Sequence, residues 1–162
     1  LKLTVVLEKK LRENLRKAFW NKLATDLLEE PANYSQIPGL FKDIQKLYMS
    51  ILSCINNKEK RETYEKEFNS LIDINYIVLL LNTGGLNDEI ILNNCVNILE
   101  QTKEIGIPKN DSKIAKMVLK IKKELDKDKP EMSDLCSIFK LIIKLLEELQ
   151  TFFMNRMINK AK

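Results

Sequence analysis

The absence that constrains this chain most is histidine, because none of its 162 residues is a His. Without an imidazole there is no Ser-His-Asp or Cys-His nucleophile pair and no imidazole general base. The usual zinc sites, nearly all of which use His ligands, are excluded for the same reason. We therefore expect a protein that is not an enzyme, with no catalytic residues and no metal site. We also expect no cofactor and no small-molecule substrate.

Glycine and proline are also scarce, with four of each in the chain. The eight residues are a far smaller share of this chain than the roughly 12% that the two types make up in average proteins. Loops that hold phosphate groups on glycine-rich backbone are therefore few. Gly84-Gly85 precedes a predicted helix start, but no Lys or Arg lies within ten residues of it. We interpret the pair as a turn in which glycine closes one helix in the left-handed conformation. Pro38 fits the first turn of the second helix.

Net positive charge is weak and arginine is rare. Lys and Arg total 27 against 23 Asp and Glu, a formal charge of +4, and only four of the 27 are Arg. Because arginine supplies the planar fork that recognises phosphates and bases, this composition argues against a dedicated nucleic-acid binder.

Two basic clusters nevertheless stand out. One comprises Lys9, Arg12, Arg16 and Lys17 in the first predicted helix, and the other comprises eight lysines between residues 109 and 129. Either cluster is explained as a solvated helix face. Together they leave an alternative function open, the binding of an anionic surface such as an acidic membrane or a nucleic acid.

Cysteine usage and hydropathy bound the location of the protein. Cys54, Cys95 and Cys136 are odd in number and lie among apolar residues, which indicates reduced, buried thiols. The longest stretch without charge, from Ile74 to Asn87, is too short to span a bilayer, and nothing in the sequence resembles a signal peptide with a cleavage site. We predict a cytoplasmic or nuclear protein that is neither secreted nor transmembrane. An enzyme that uses one thiol as its nucleophile is the remaining catalytic hypothesis.

Apolar residues at helical spacing run through almost the whole chain. The first stripe comprises Leu7, Leu11, Leu15, Phe19, Leu23 and Leu27. It predicts a helix over residues 5–29 with one buried face and with Thr4 as its N-cap. The stripe that predicts a long last helix comprises Leu135, Ile138, Phe139, Ile142, Leu145, Leu146, Leu149, Phe152 and Phe153. The nearly all-apolar segment from Ile74 to Leu81 predicts a short helix at the centre of the molecule.

Capping residues fall where the other stripes begin. Asp73 and Asn87 precede two predicted helices, Asp111 or Ser112 caps a third, and Ser133 caps the last. No segment alternates between apolar and polar residues with the period of a strand. We therefore predict a single all-α domain over residues 1–162, an irregular bundle of about seven antiparallel-packed helices with long first and last helices.

An ordered set of short motifs resembles a known family. The set consists of Ala18-Phe19-Trp20, Pro31-x-x-Tyr34, Phe41-x-x-Ile44, Ile51-Leu52, Asp73-Ile74, Gly85-Leu86, a turn from Pro108 to Asp111, Ile138-Phe139 and Phe153-Met154. In this order and spacing, over about residues 17–154, the chain resembles the N-terminal half of the T-complex protein 11 family domain.

The resemblance implies a non-catalytic, all-helical signalling protein. The family is associated with modulation of the cyclic-AMP and protein kinase A pathway, and no enzymatic activity or cofactor is attached to it. A chain that opens on Leu1 is then expected to be a fragment of a longer family member. The expected partners are proteins, among them components of the kinase pathway and the missing C-terminal half of the chain itself.

The residues predicted to bind partners come from both ends of the chain. Trp20, the only tryptophan, either closes the edge of the core against the last helix or anchors a partner. Phe153 and Met157 belong to an apolar patch that packs against the missing half or pairs two copies. The full predicted set is Trp20, Lys9, Arg12, Arg16, Lys17, Phe153 and Met157.

Overall fold

Seven α-helices and no strand occur in the part of the chain that the computed structural model describes. That part comprises residues 2–106, 108–127 and 132–161, without the side chains of 132–134 and 159–161. The helices are α1 Lys2–Leu28, α2 Ile37–Leu52, α3 Lys58–Leu71, α4 Ile74–Thr83, α5 Asp88–Ile105, α6 Asp111–Leu125 and α7 Met132–Ala161, with a short 3₁₀ turn, Pro108–Asn110, before α6. The predicted all-α bundle with long first and last helices is confirmed.

Several helix ends lie where the sequence predicts them. The side chain of Asp73 accepts a hydrogen bond from the backbone N–H of Tyr76 (3.1 Å), and that of Asn87 accepts one from Ile90 (2.9 Å). Each carboxylate or amide oxygen thereby satisfies a donor that the first turn of a helix leaves unpaired. Gly84 ends α4 in the left-handed conformation, with φ of 77°.

Two predicted caps are wrong, and one lies outside the described side chains. Thr4 is inside α1, which begins at Lys2 because no Gly or Pro interrupts the first residues. Neither Asp111 nor Ser112 caps α6. Asn110 occupies the cap position without a side-chain hydrogen bond, because the preceding 3₁₀ turn holds its backbone in a helical conformation. The predicted cap Ser133 has no described side chain.

The central helix of the core is α2, which α3, α4 and α7 surround. Its buried face comprises Ile37, Pro38, Leu40, Phe41, Ile44, Tyr48, Ile51 and Leu52. Phe41 meets Phe139 of α7 edge to face at 5.4 Å, and Gln150 of α7 donates to the Ser50 hydroxyl at 2.8 Å. These two contacts show that α2 and α7 run in parallel, so this pair departs from the antiparallel packing that the sequence predicted.

The prediction that the Ile74–Leu81 helix lies at the centre is wrong. In α4 only Ile74 and Ile77 are buried, whereas Tyr76 is 55% exposed and Leu79 is 56% exposed. The physical reason is that α7 makes the most extensive contact with α2, whereas α4 packs against α2 only through the side that carries Ile74 and Ile77.

The first half of α1 also departs from the predicted buried stripe. Leu7, Leu11 and Leu15 are 57%, 60% and 61% exposed, and full burial in this helix begins at Leu23. α1 packs on α7 through its second half, so within the described residues no helix covers the N-terminal leucines.

Candidate functional site

A groove of about 610 Å³ opens between α1, α2 and α7. Its volume lies within the range of about 300–1,000 Å³ that is typical of ligand pockets. α1 contributes Leu15, Arg16, Phe19 and Trp20, α2 contributes Leu40, Asp43, Lys46 and Leu47, and α7 contributes Lys140, Ile143, Lys144 and Glu147. We call this site the α1–α2–α7 groove.

The walls of the groove are single faces of each helix. On α7 the residues Lys140, Ile143, Lys144 and Glu147 follow the three- and four-residue spacing that brings side chains to one side of a helix. A hydrogen bond joins the end of α1 to the start of α2. Asp26, buried near the end of α1, accepts a hydrogen bond from the Gln36 amide just before α2 at 2.9 Å.

Two aromatic rings and a lysine form the α1 side of the groove. Phe19 and Trp20 are half-buried and meet edge to face, with ring centroids 5.2 Å apart. Lys140 Nζ of α7 lies 5.5 Å from the centroid of the Trp20 ring, within the range of a cation–π contact. Trp20 therefore lies at the edge of the core beside the last helix, the first of its two predicted positions, and one side of the indole faces the groove.

The groove carries an excess of positive charge. Arg16, Lys46, Lys140 and Lys144 line it, against the two carboxylates of Asp43 and Glu147. Within the described residues none of these four cations forms an ion pair. All four are exposed, so each is available to an anionic group that enters the groove.

An exposed apolar stripe continues from the groove along α1. Leu15 lines the groove, and Leu11, Leu7 and Leu3 follow at successive turns, each more than half exposed. At 1.5 Å per residue the stripe is about 18 Å long. We call Leu3, Leu7, Leu11 and Leu15 the α1 stripe. Several apolar side chains in line are more than the scattered exposed leucines of an ordinary surface.

The structure brings the predicted site residues together only in part. Trp20 and Arg16 both line the α1–α2–α7 groove, whereas Lys9, Arg12 and Lys17 are exposed on α1 outside its lining.

Phe153 and Met157 line a separate, smaller cavity. It has a volume of about 230 Å³ and lies between the end of α7 and the segment after α2 that contains Cys54, Ile55 and Asn56. The partner-binding roles of all seven residues stay predictions.

The sequence reading missed the α2 and α7 walls of the groove. Lys46, Lys140, Ile143 and Lys144 were not among the predicted site residues, although the last three lie at helical spacing beside the buried stripe of α7. That spacing was the available signal. It does not reveal which helices lie opposite, because the groove joins residues more than 100 positions apart.

The two predicted basic clusters lie on helices whose main packing partners differ. The first is on α1, which packs mainly on α7. Most of the described part of the second is on α6, which packs mainly on α5, with Lys109 in the 3₁₀ turn before α6 and Lys127 just after it. Within the second cluster Lys113 pairs with Glu148 of α7 at 3.7 Å and Lys127 pairs with Glu124 at 2.6 Å. Lys129 lies outside the described residues.

The buried thiols are the opposite of activated nucleophiles. Burial raises the pKa of Cys95, which is fully buried, and it raises the pKa of Cys136 as well. A catalytic cysteine needs a lowered pKa and access to substrate. Among the described residues, no three side chains of the Cys, Asp and Glu types converge as metal ligands would. No helix in the described ranges combines the length and apolar content that crossing a membrane requires.

Comparison with known proteins identifies one family. The model of the T-complex protein 11 family matches residues 2–162, and the resemblance inferred from the motifs is thereby confirmed. No curated protein and no solved structure matches the chain.

Proposed function

The chain belongs to the T-complex protein 11 family, and from this membership we propose that it is a non-enzymatic protein-interaction module. It serves as a scaffold or regulator in signalling linked to cyclic AMP and protein kinase A, the pathway with which the family resemblance associates it. Its partners are proteins of that pathway. The three unpaired cysteines favour a reducing compartment, the cytoplasm or the nucleus.

The observation that supports an interaction role is the α1–α2–α7 groove itself. It combines an apolar lining, a half-buried tryptophan and cations that have no ion-pair partner in the described residues. Tryptophan and arginine are the residues most enriched among those that dominate binding energy at protein interfaces. The α1 stripe extends the apolar surface beyond the groove, as expected of a surface that another molecule covers.

A capture experiment tests both the pathway and the groove. The tagged chain is used to capture proteins from a cell lysate, and the regulatory and catalytic subunits of protein kinase A are detected with specific antibodies. The groove variant is Leu15→Asp, and its matched control is Leu119→Asp on α6, because these leucines are 61% and 55% exposed and both changes leave the core intact.

We expect the wild type and Leu119→Asp to capture kinase subunits and Leu15→Asp to lose most of that capture. Absence of kinase subunits from the wild-type capture contradicts the signalling role. Equal capture by Leu15→Asp contradicts the groove as the binding site and leaves the pathway assignment in place.

A second candidate function is the binding of an anionic surface, an acidic membrane or a nucleic acid. The observation that favours it is the first half of α1, where Lys9, Arg12 and Lys17 are exposed on the same helix as the α1 stripe. Helices that lie on membranes combine an apolar face with Lys and Arg in this way. Retention on acidic vesicles or heparin that weakens as salt is added supports this function. No retention at low salt excludes it.

A further inference from the structure

The shape of the combined apolar surface matches a helix. From Leu3 to Phe19 the α1 stripe and the groove extend over 16 residues, or about 24 Å at 1.5 Å per residue. Leu15, Phe19, Leu47 and Ile143 supply apolar surface from three helices around a concave site. An amphipathic helix that lays its apolar face into such a groove is one of the recurrent modes of peptide recognition.

The charges around this surface favour a negatively charged ligand. Each of the three helices that form the groove contributes at least one cation without an ion pair in the described part of the chain: Arg16 on α1, Lys46 on α2, and Lys140 and Lys144 on α7. Along residues 2–17 of α1 there are six basic residues and two acidic ones. A ligand on this surface therefore meets an excess of positive charge along its whole length.

The same charges argue against a second copy of the chain as the occupant. Pairing two α1 stripes would bring two basic helix segments together, and like charges in contact oppose association. A bilayer surface is also a poor fit, because a flat surface does not reach cations on all three walls of a concave groove at once.

We infer that the α1–α2–α7 groove and the α1 stripe bind an amphipathic helix of a partner protein that carries acidic residues on both sides of its apolar face. This inference rests on the proposed interaction function and adds the chemical class of the partner. The apolar face of the ligand covers the α1 stripe and the groove lining, and its carboxylates pair with Arg16, Lys46, Lys140 and Lys144.

Three synthetic peptides without tryptophan test the ligand class. The first is an amphipathic helix with leucines at helical spacing and flanking glutamates, the second replaces the glutamates by lysines, and the third keeps the glutamates but replaces the leucines by glutamine. Trp20 is the only tryptophan of the chain and lines the groove, so its fluorescence reports occupancy of this site. Affinities are measured from the anisotropy of labelled peptides.

The charge-reversal variant is Lys140→Glu with Lys144→Glu. Its matched control is Lys60→Glu with Lys66→Glu on α3, which changes the net charge equally at two exposed lysines outside the groove. Circular dichroism verifies that both variants are folded. Because reversing two exposed lysines removes two charge pairs, we expect the acidic peptide to bind this variant about tenfold more weakly, whereas the control variant binds it as the wild type does.

The inference holds if the acidic amphipathic peptide shifts Trp20 emission and binds at least tenfold more tightly than both other peptides. Equal or tighter binding of the lysine peptide overturns the inference. Equal binding of the glutamine peptide also overturns it, because charge alone would then account for the affinity. A shift of Trp20 emission with vesicles of phosphatidylcholine and phosphatidylglycerol, but not with the acidic peptide, overturns it in favour of a membrane.

The peptide experiment and the kinase capture test different claims, and each can fail without the other. Capture of kinase subunits that the Lys140/Lys144 reversal leaves unchanged overturns the acidic-helix ligand and retains the proposed function. Tight binding of the acidic peptide without any capture of kinase subunits rejects the signalling role and retains the ligand class.

Discussion

At the scale of single residues, burial changes the pKa of two tyrosines and two cysteines. Burial raises the pKa of Tyr48, and the nearby carboxylates of Glu104 and Glu67 raise it further. Burial also raises the pKa of Tyr34, as does its hydrogen bond to Asp88. Burial raises the pKa of Cys95 and of Cys136 as well, so the folded state favours the neutral, protonated form of all four groups.

We predict that stability changes little between about pH 6 and pH 8 and falls above about pH 8.5. The chain has no histidine to titrate in the lower range. Above the ordinary pKa of a thiol the unfolded chain loses its proton while folded Cys95 keeps it, so rising pH favours the unfolded state. This contribution is fully present below the unfolded pKa and is lost as pH rises toward the raised folded value. Urea unfolding at a series of pH values measures the slope, which the Cys95→Ala variant reduces. Stability that rises with alkaline pH contradicts the prediction.

Tyr48 and Tyr34 provide a matched pair of hydroxyl deletions. The Tyr48 hydroxyl is buried and has no hydrogen-bond partner in the described residues, whereas the Tyr34 hydroxyl donates to Asp88 Oδ1 at 2.6 Å. Tyr48→Phe removes an unsatisfied polar group, so we expect it to raise the free energy of unfolding by about 1 kcal/mol. Tyr34→Phe lowers it by about 1.5 kcal/mol, because a hydrogen bond to a charged acceptor is lost. Urea unfolding measures both changes. If both substitutions change the free energy of unfolding in the same direction, the hydrogen bonding of the hydroxyl groups does not determine the effect.

At the scale of the helices, residues close in sequence determine where each helix ends, whereas neighbouring helices determine which of its faces is buried. Asp73, Asn87 and Gly84 end or begin helices through bonds and backbone angles that involve residues close in sequence. Burial of α1 and α4 does not follow their own apolar content. Leu11 and Leu79 are exposed because no described helix covers those faces.

The glycine that ends α5 gives a prediction about one helix end. A Cβ at Gly106 would lie 2.7 Å from the Thr102 carbonyl oxygen, closer than such atoms approach, whereas a Cβ at Gly39 in the first turn of α2 meets nothing within 4 Å. We expect Gly106→Ala to lower the free energy of unfolding by about 1–3 kcal/mol, because backbone has to move. Gly39→Ala raises it by about 0.5 kcal/mol through helix propensity. Thermal and urea unfolding measure both, and a neutral Gly106→Ala would show that the end of α5 relaxes freely.

At the scale of the whole molecule, the core and the proposed interaction surface occupy different parts of the fold. The core lies around α2, where Phe41, Tyr48 and Phe139 are fully buried. The first half of α1 extends from this core with its leucines exposed. A ligand can therefore cover the α1 stripe without any change in the packing of the bundle.

Deleting residues 1–13 tests this division. We expect the free energy of unfolding to change by no more than about 0.5 kcal/mol, because substitutions and deletions outside packed regions have small effects. Hydrogen exchange of the intact chain should be faster in residues 3–14 than in the buried end of α1, since a short unsupported helix is marginal in water. A large loss of stability on deletion would show that this segment packs against the bundle.

The sequence by itself determined the helical class, the number of helices, several of their ends and the family. Those properties depend on contacts between residues a few positions apart, such as the cap between Asp73 and Tyr76, and local spacing encodes them. The same spacing predicted the α1 stripe as an apolar face, and it does not determine whether another helix covers that face.

Only the tertiary structure decided where the groove lies. Arg16, Lys46 and Lys140 belong to three helices, of which α7 lies far from the other two in the chain. They meet because α7 packs against both α1 and α2, and it runs parallel to α2. Trp20 and Arg16 were predicted site residues, but the lysines opposite them became visible only after packing. Which helices pair depends on how much apolar surface each pairing buries between residues distant in sequence. The residues near Arg16 in the sequence do not show which pairing that is.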